Sequence, residues 1–343
     1  MYCCPECFSD RSLRRDIFPI SSQQSGKCSY CDSDNVPLVE PLALAEYFEL
    51  LVSSYEPDPQ GKLLVQCFRE DWGLFENPHM DDAHAKELLC EILDDGEVVR
   101  RTFRPSFVAD GNQLGDWDEL REELRYRNRF FPKVNIKYER LAELLSFLAS
   151  DQEEIPQKWF RARIQNGNAS YLATEMGAPP RERATHGRAN PAGIPYLYLA
   201  STELTAISEI RPHTGEIACV ADFEVPTALK LIDLRNPKKM VSPFLFEDPV
   251  DIGRLRSDLP FLERLGQELT RPVLPHAAAI DYTPSQFLCE FIKGQGYDGV
   301  LYRSSVTDGI NMALFEPTRP NCNTVRQFSV NRIAINATVL NTT

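Results

Sequence analysis

"THGRANPAGIPYLYLASTELTAISEIR", residues 185–211, sets a Gly/Pro-rich turn, an aromatic strand and a short helix in immediate succession. In "GRANPAG", Gly187 and Gly193 supply backbone angles that other residues resist, while Pro191 and Pro195 stiffen the chain. "IPYLYLA" then alternates, so Tyr196 and Tyr198 share one strand face and Leu197 and Leu199 the other. Ser201 or Thr202 suits the N-cap of the following helix. On that helix Leu204, Ile207 and Ile210 form the expected buried stripe, and Glu209 lies about 200° round from Ile207. Periodicity alone reads Glu209 as a solvated helix residue, Arg188 as a surface arginine and the tyrosines as packing residues.

The same texture runs from Trp159 onward. "PYLYLA", "IACVADFEV", "ALKLIDL", "GVLYRSS" and "NMALFEP" read as strands. "TELTAISEIR", "LPFLERLGQELT" and "PSQFLCEFIKGQG" read as helices. Strands outnumber helices without a βαβ alternation, which predicts an α+β fold. Neither G-x-G-x-x-G nor a P-loop occurs, so a dinucleotide-binding Rossmann fold has no support.

Residues 38–150 read instead as a small helical bundle. "YERLAELLSFLAS" sets Leu141, Leu144, Leu145 and Leu148 on one stripe, and "DAHAKELLCEILDD" and "PLALAEYFELLVSS" carry similar ones. "DWDELREELRYRNRFF" adds a charged helix starting near Asp116 or Asp118, and "EPDPQG" and "ENPHMDD" punctuate the series. "DQEEIPQK" reads as a linker. The expected domains are residues 1–36, 37–154 and 155–343.

The first 36 residues form a unit of their own. Cys4 and Cys7 of "CPEC" and Cys28 and Cys31 of "CSYC" are separated by twenty residues. This C-x2-C…C-x2-C layout suits tetrahedral zinc, and four thiolates close its coordination sphere, so the expected site is structural. Cys3 adjoins Cys4 and competes with it as ligand. The remaining five cysteines are scattered and read as buried small hydrophobes.

Of the 343 residues, 43% are hydrophobic and 25% charged, ordinary values for a globular protein. A net charge of −13 argues against broad nucleic-acid binding, although a local basic patch or a few inward-facing arginines remain compatible with anionic ligands. No apolar run is long enough to span a membrane, and "MYCCPECFSD" lacks the pattern of a secretory signal. A cytoplasmic protein is expected, and "NAS", "NAT" and "NTT" are then chance matches to glycosylation acceptors.

Three separated stretches change the weight of these readings. "FRAR" (160–163), "GRANPAGIPYLYLASTELTAISEIR" and "GYDGVLYRSSVTDGINMALFEP" (296–317) together resemble the RES family, named for its Arg, Glu and Ser. The region before them looks like the HEPN-like N-terminal domain attached to some RES proteins, without the R-x4–6-H motif of HEPN ribonucleases. The resemblance implies an ADP-ribosyltransferase-like fold, NAD as substrate and a toxin that breaks NAD down. An antitoxin is the implied protein partner; regulation or homodimerisation is the role open to the N-terminal zinc and helical region.

By resemblance, Arg161 and Arg188 match the two family arginines, Tyr198 the strand tyrosine and Glu209 the glutamate. Tyr196 shares the strand face of Tyr198 and joins the implied substrate site. For the serine, "YRSS" offers Ser304 or its neighbour Ser305, with Arg303 standing where the family has proline. The residue types fit the chemistry. Nicotinamide leaves as a neutral base, so one carboxylate facing the developing oxocarbenium charge suffices. Planar guanidinium groups suit a pyrophosphate. The implied activity is NAD glycohydrolase or phosphorylase; the alternatives are ADP-ribosyl transfer to a macromolecule and a catalytically idle interaction protein.

Overall fold

The computed structural model describes residues 1–22, 24–106, 116–150, 154–318 and 320–334. "NAT" (336–338), "NTT" (341–343) and the first three residues of the expected linker lie outside them. The described chain forms two compact units. One comprises Met1–Trp117, Asn135–Leu141 and Asn236–Arg264; the other comprises Asp118–Val134, Ala142–Arg235 and Leu265–Thr343. No helix among the described residues is long and apolar enough to cross a membrane.

The second unit is built on a seven-stranded sheet, and the fold is α+β as expected. In chain order the strands are β1 (Lys158–Ile164), β2 (Leu197–Ala200), β3 (Ile217–Glu224), β4 (Leu231–Asp233), β5 (Gly299–Arg303), β6 (Ile310–Leu314) and β7 (Asn321–Ser329). Their spatial order is β7-β3-β1-β2-β6-β5-β4, antiparallel throughout except for β4 beside β5. One face buries Trp159, Leu197, Leu199, Phe223, Leu301 and Met312. The other carries Ala162, Ala200 and Val220, against which Ala206 of α1 (Glu203–Glu209) packs. Small side chains on that face leave room between sheet and helix. A second helix, α2 (Thr283–Gly294), directly precedes β5 in the same unit.

Two strands escaped the sequence reading. Arg161 and Arg163 interrupt the apolar alternation of β1, and they are accommodated by carbonyls from elsewhere in the chain, those of Tyr198 and Gly177. The strand β7 lies at the sheet edge and is mostly exposed, with only Cys322, Val325 and Phe328 partly buried, so its sequence shows no regular apolar alternation. Helix α1 also differs from expectation. Ile207 and Ile210 pack against this face as expected, but the fully buried residues are Thr205 and Ala206, and Leu204 is 70% exposed. Alanines of the sheet, rather than the helix's own leucine, set which face turns inward.

The first unit contains the cysteine pairs and the helices Ala45–Ser53, Leu64–Trp72 and Asp82–Leu93. Phe8 sits at its centre, with the rings of Phe18, Phe48 and Phe75 at 5.4–6.0 Å. It is not purely helical: Tyr55–Leu63 pairs with Thr102–Pro105 as an antiparallel ribbon. "EPDPQG" therefore lies in a strand, with a register shift between Pro57 and Lys62 that accommodates the prolines. Of the five scattered cysteines, Cys67, Cys219 and Cys289 are buried, and Cys90 and Cys322 are partly so.

Candidate active site

Register places the floor of the site. Phe160, Ala200, Asn311 and Tyr302 are successive cross-strand partners on β1, β2, β6 and β5. All four line a cavity of about 480 Å³ that also receives Arg161, Arg188, Tyr198, Glu209, Arg211 and Tyr282. That volume is in the range of small-molecule and cofactor pockets.

β1 and β2 pair through a single residue couple, Phe160 and Ala200, whereas β1 and β3 pair along seven. The strands therefore diverge, and the Arg161 guanidinium donates to the Tyr198 carbonyl at 3.2 Å. Burial, with Arg163 nearby, pulls the Arg161 pKa down to about 10. Its Nε has no partner among the described residues. It remains a cation at neutral pH, and the charged or ionisable side chains acting on it among the described residues are Arg163 and Tyr198, with no carboxylate.

The "GRANPAG" turn is organised by Asn190. Its amide donates to the carbonyls of Thr185, Pro191 and Ile194 at 2.9–3.1 Å, and its oxygen accepts the Tyr198 hydroxyl at 2.7 Å. Tyr198 Oη in turn accepts the Ala189 N–H at 2.9 Å. Burial pushes the Tyr198 phenol well above its ordinary pKa. Gly193 has the positive φ expected of it. Gly187 serves a different need: an added Cβ would lie 2.2 Å from Asn190 Oδ1. Gln286 on α2 clamps the turn by donating to the Gly187 and Asn190 carbonyls at 2.8 and 3.0 Å.

This turn aims Arg188 into the cavity. Nη1 donates to the Arg271 carbonyl at 2.7 Å, Nη2 reaches Ser305 Oγ at 3.4 Å, and the guanidinium lies 5.3 Å from the Tyr282 ring centre. No carboxylate neutralises it among the described residues.

Glu209 completes α1, whose N-terminus is capped by Thr202 accepting the Thr205 N–H at 3.1 Å. Glu209 Oε1 accepts the Ser304 hydroxyl at 2.7 Å and the Asn311 amide at 2.6 Å. Both donors are neutral, so the carboxylate is oriented without being neutralised. Ser304 Oγ also accepts the N–H groups of Val306 and Thr307, each at 3.2 Å. Its hydrogen is thus given to Glu209 and its acceptor capacity to the loop that follows β5. The two serines divide their contacts: Ser304 meets Glu209, and Ser305 meets Arg188. Arg303 is the exposed last residue of β5, opposite Ile310, so its side chain leaves the Ser304 register intact.

The structure therefore brings Arg161, Arg188, Tyr198, Glu209, Ser304 and Ser305 to one region. Tyr196 is not among the cavity residues; it precedes β2, is buried, and packs its ring 4.9 Å from that of Phe315. Both tyrosines lie near Cys289 of α2, as a shared face requires, but Tyr196 stands ahead of the strand, which begins at Leu197, and outside the cavity. Sequence reasoning missed Asn311, Asn190, Tyr282 and Arg211. An asparagine inside the apolar run "INMAL" was the one available signal for Asn311, since strands are depleted in that residue.

In the first unit the Sγ atoms of Cys4, Cys7, Cys28 and Cys31 all lie within 4.8 Å of one another, and all four residues are buried. The Cys4–Cys31 and Cys7–Cys28 sulfurs are each 3.4 Å apart. Tetrahedral zinc thiolates would place sulfurs about 3.8 Å apart, so this donor set fits a metal ion. Cys3 points elsewhere, its thiol donating to the Val39 carbonyl at 3.5 Å.

Comparison with known proteins matches the RES domain to residues 158–334, just over half of the chain. Among solved structures, the crystal structure of the M. tuberculosis MbcT–MbcA toxin–antitoxin complex is similar at 14% identity, over 55% of this chain and 92% of that one, with a TM-score of 0.33. No curated protein matches the chain. The matched span contains every strand of the sheet and every residue lining the cavity, and on that match the chain belongs to the RES domain family.

Proposed function

We propose that this protein degrades NAD by cleaving the bond between nicotinamide and ribose, as a glycohydrolase or, with phosphate as acceptor, a phosphorylase. The observation that carries the reading is the state of charge in the cavity. Arg161, Arg188 and Glu209 share one hollow, and none forms an ion pair with an opposite side-chain charge among the described residues. A ligand that brings a pyrophosphate and develops positive charge elsewhere satisfies both.

In this reading Arg161 and Arg188 hold the pyrophosphate, and the rings of Tyr198 and Tyr282 flank the bases. As the C1′–N bond breaks, its electron pair passes to the pyridinium nitrogen and nicotinamide leaves neutral. Glu209 stabilises the oxocarbenium charge that remains on the ribose. Ser304 and Asn311 act as positioning residues for Glu209, and Ser305 for Arg188. Water or phosphate then forms the new bond to C1′ and releases its proton to solvent. The biological role that goes with this activity is that of a toxin in the cytoplasm, restrained by an antitoxin. The four-cysteine cluster is proposed to hold a structural zinc.

Incubating the purified chain with NAD and separating the products by chromatography tests the reading. Nicotinamide appearing with free ADP-ribose, or with a phosphorylated ADP-ribose when phosphate is present, is the expected result. ADP-ribose attached to protein or nucleic acid would redirect the assignment to transfer, and intact NAD would remove the enzyme reading.

A further inference from the structure

Beyond the cavity, the second unit carries a surface loop whose composition opposes that of the rest of the chain. From Arg125 to Lys133, "RYRNRFFPK" holds four cations and no acid, within a protein of net charge −13. Phe130 and Phe131 are 84% and 81% exposed, and Tyr126 is 60% exposed. Large apolar rings so placed usually find burial or mark a contact surface.

The loop is nevertheless firmly held. Glu123 is buried, and its carboxylate accepts the N–H groups of Lys133 at 2.6 Å and Val134 at 3.2 Å. Its backbone carbonyl takes the N–H groups of Arg127 and Asn128, both at 2.8 Å. The Asn128 side chain closes the turn, donating to the Phe131 carbonyl at 2.6 Å and accepting its N–H at 3.1 Å. Glu123 is therefore committed to backbone donors. It shares a hollow with Glu119, Arg127 and Lys133 and makes no ion-pair contact with either cation among the described residues. Arg125 is engaged with Glu122 and Asp281, whereas Arg127, Arg129 and Lys133 pair with no carboxylate among the described residues.

We propose that this loop is a docking site for single-stranded nucleic acid. Unpaired cations alternate with projecting rings on a turn fixed in advance. The ligand that repeats an anion and an unstacked planar ring along a flexible chain is a single strand of RNA or DNA. A duplex hides its ring faces in the stack. An acidic polypeptide matches the charge but leaves the rings without partners. The acidic remainder of the protein repels phosphates, so the contact is confined to a few nucleotides at this loop.

The test titrates the full-length protein into fluorescently labelled single strands of about 15 nucleotides, U or dT, between about 50 and 200 mM salt. Three phosphates held by Arg127, Arg129 and Lys133 give an expected log–log salt slope of about −2. Replacing Phe130 and Phe131 together by alanine should weaken binding at least about tenfold. Replacing Arg127 and Arg129 by alanine should lower the magnitude of the slope by about 1.4. Circular dichroism of both variants should match the parent, because the altered side chains are exposed. Absence of binding by the parent, equal affinity for a duplex, or full affinity in the phenylalanine variant would each overturn the proposal. So would sedimentation with phosphatidylserine vesicles, dependent on the same two rings, in protein that ignores the oligonucleotides.

Discussion

Glu209 is a carboxylate held in place by two neutral groups that lie 95 and 102 residues away in sequence. That separation explains why periodicity assigned it to solvent. A helical wheel reports which face packs, and Glu209 indeed lies off the packed face; what it meets instead comes from β6 and the turn after β5. Glu209→Gln tests its role with little disturbance, since glutamine keeps an oxygen able to accept from Ser304 and Asn311. Loss of one preorganised electrostatic group typically costs about 10²–10³ in turnover. The expected result is a fall of that size in nicotinamide release, with NAD affinity changed far less because the interaction strengthens in the transition state. Parent-like turnover in a folded Glu209→Gln protein would return Glu209 to the role of a solvated helix residue.

At the scale of elements, the loop between β5 and β6 decides where α1 sits. An added Cβ at Gly309 would lie 2.1 Å from Thr205 Oγ1 and 2.9 Å from its Cβ and Cγ2. Thr205 is buried and is also bonded to Thr307 across the same contact at 3.1 Å. Gly309→Ala should therefore push α1 away from the loop and draw Glu209 off Ser304. Overpacking of this kind costs about 1–3 kcal/mol, so a lower melting temperature and a loss of turnover should appear together. Gly294→Ala is the control, because a Cβ there meets nothing within 4 Å. A Gly309→Ala protein as stable and as active as the Gly294→Ala protein would mean that the loop does not set the helix position. Five of the seven strands were legible as apolar runs with turn residues around them. The remaining two were hidden for different reasons, arginines in β1 and the exposure of most of β7. Contact at Gly309 has no local signature either, since a glycine needed for space reads the same as one needed for a turn.

For the whole molecule, the two compact units are discontinuous in sequence, and composition carries no mark of that. Contacts such as Asp10 Oδ1 accepting the Ser242 hydroxyl at 3.0 Å, across 232 residues, gather the first unit together. Its cysteine pairs were legible because two residues between ligands is a local constraint of metal geometry, whereas the choice between Cys3 and Cys4 needed the strand-like contact of Cys3 with Val39. A metal bound by this set would contribute folding free energy directly to the segment that carries the two cysteine pairs. Elemental analysis of protein purified without chelators should therefore find about one zinc per chain. Cys28→Ser should lower both the zinc content and the melting temperature of the first unit. Cys3→Ser should keep its zinc, because the thiol it removes faces a carbonyl and stands outside the cluster. Equal zinc content in these two variants would remove Cys28 from the ligand set, and zinc-free parent protein would leave the four thiols as a buried cluster that stabilises by packing alone.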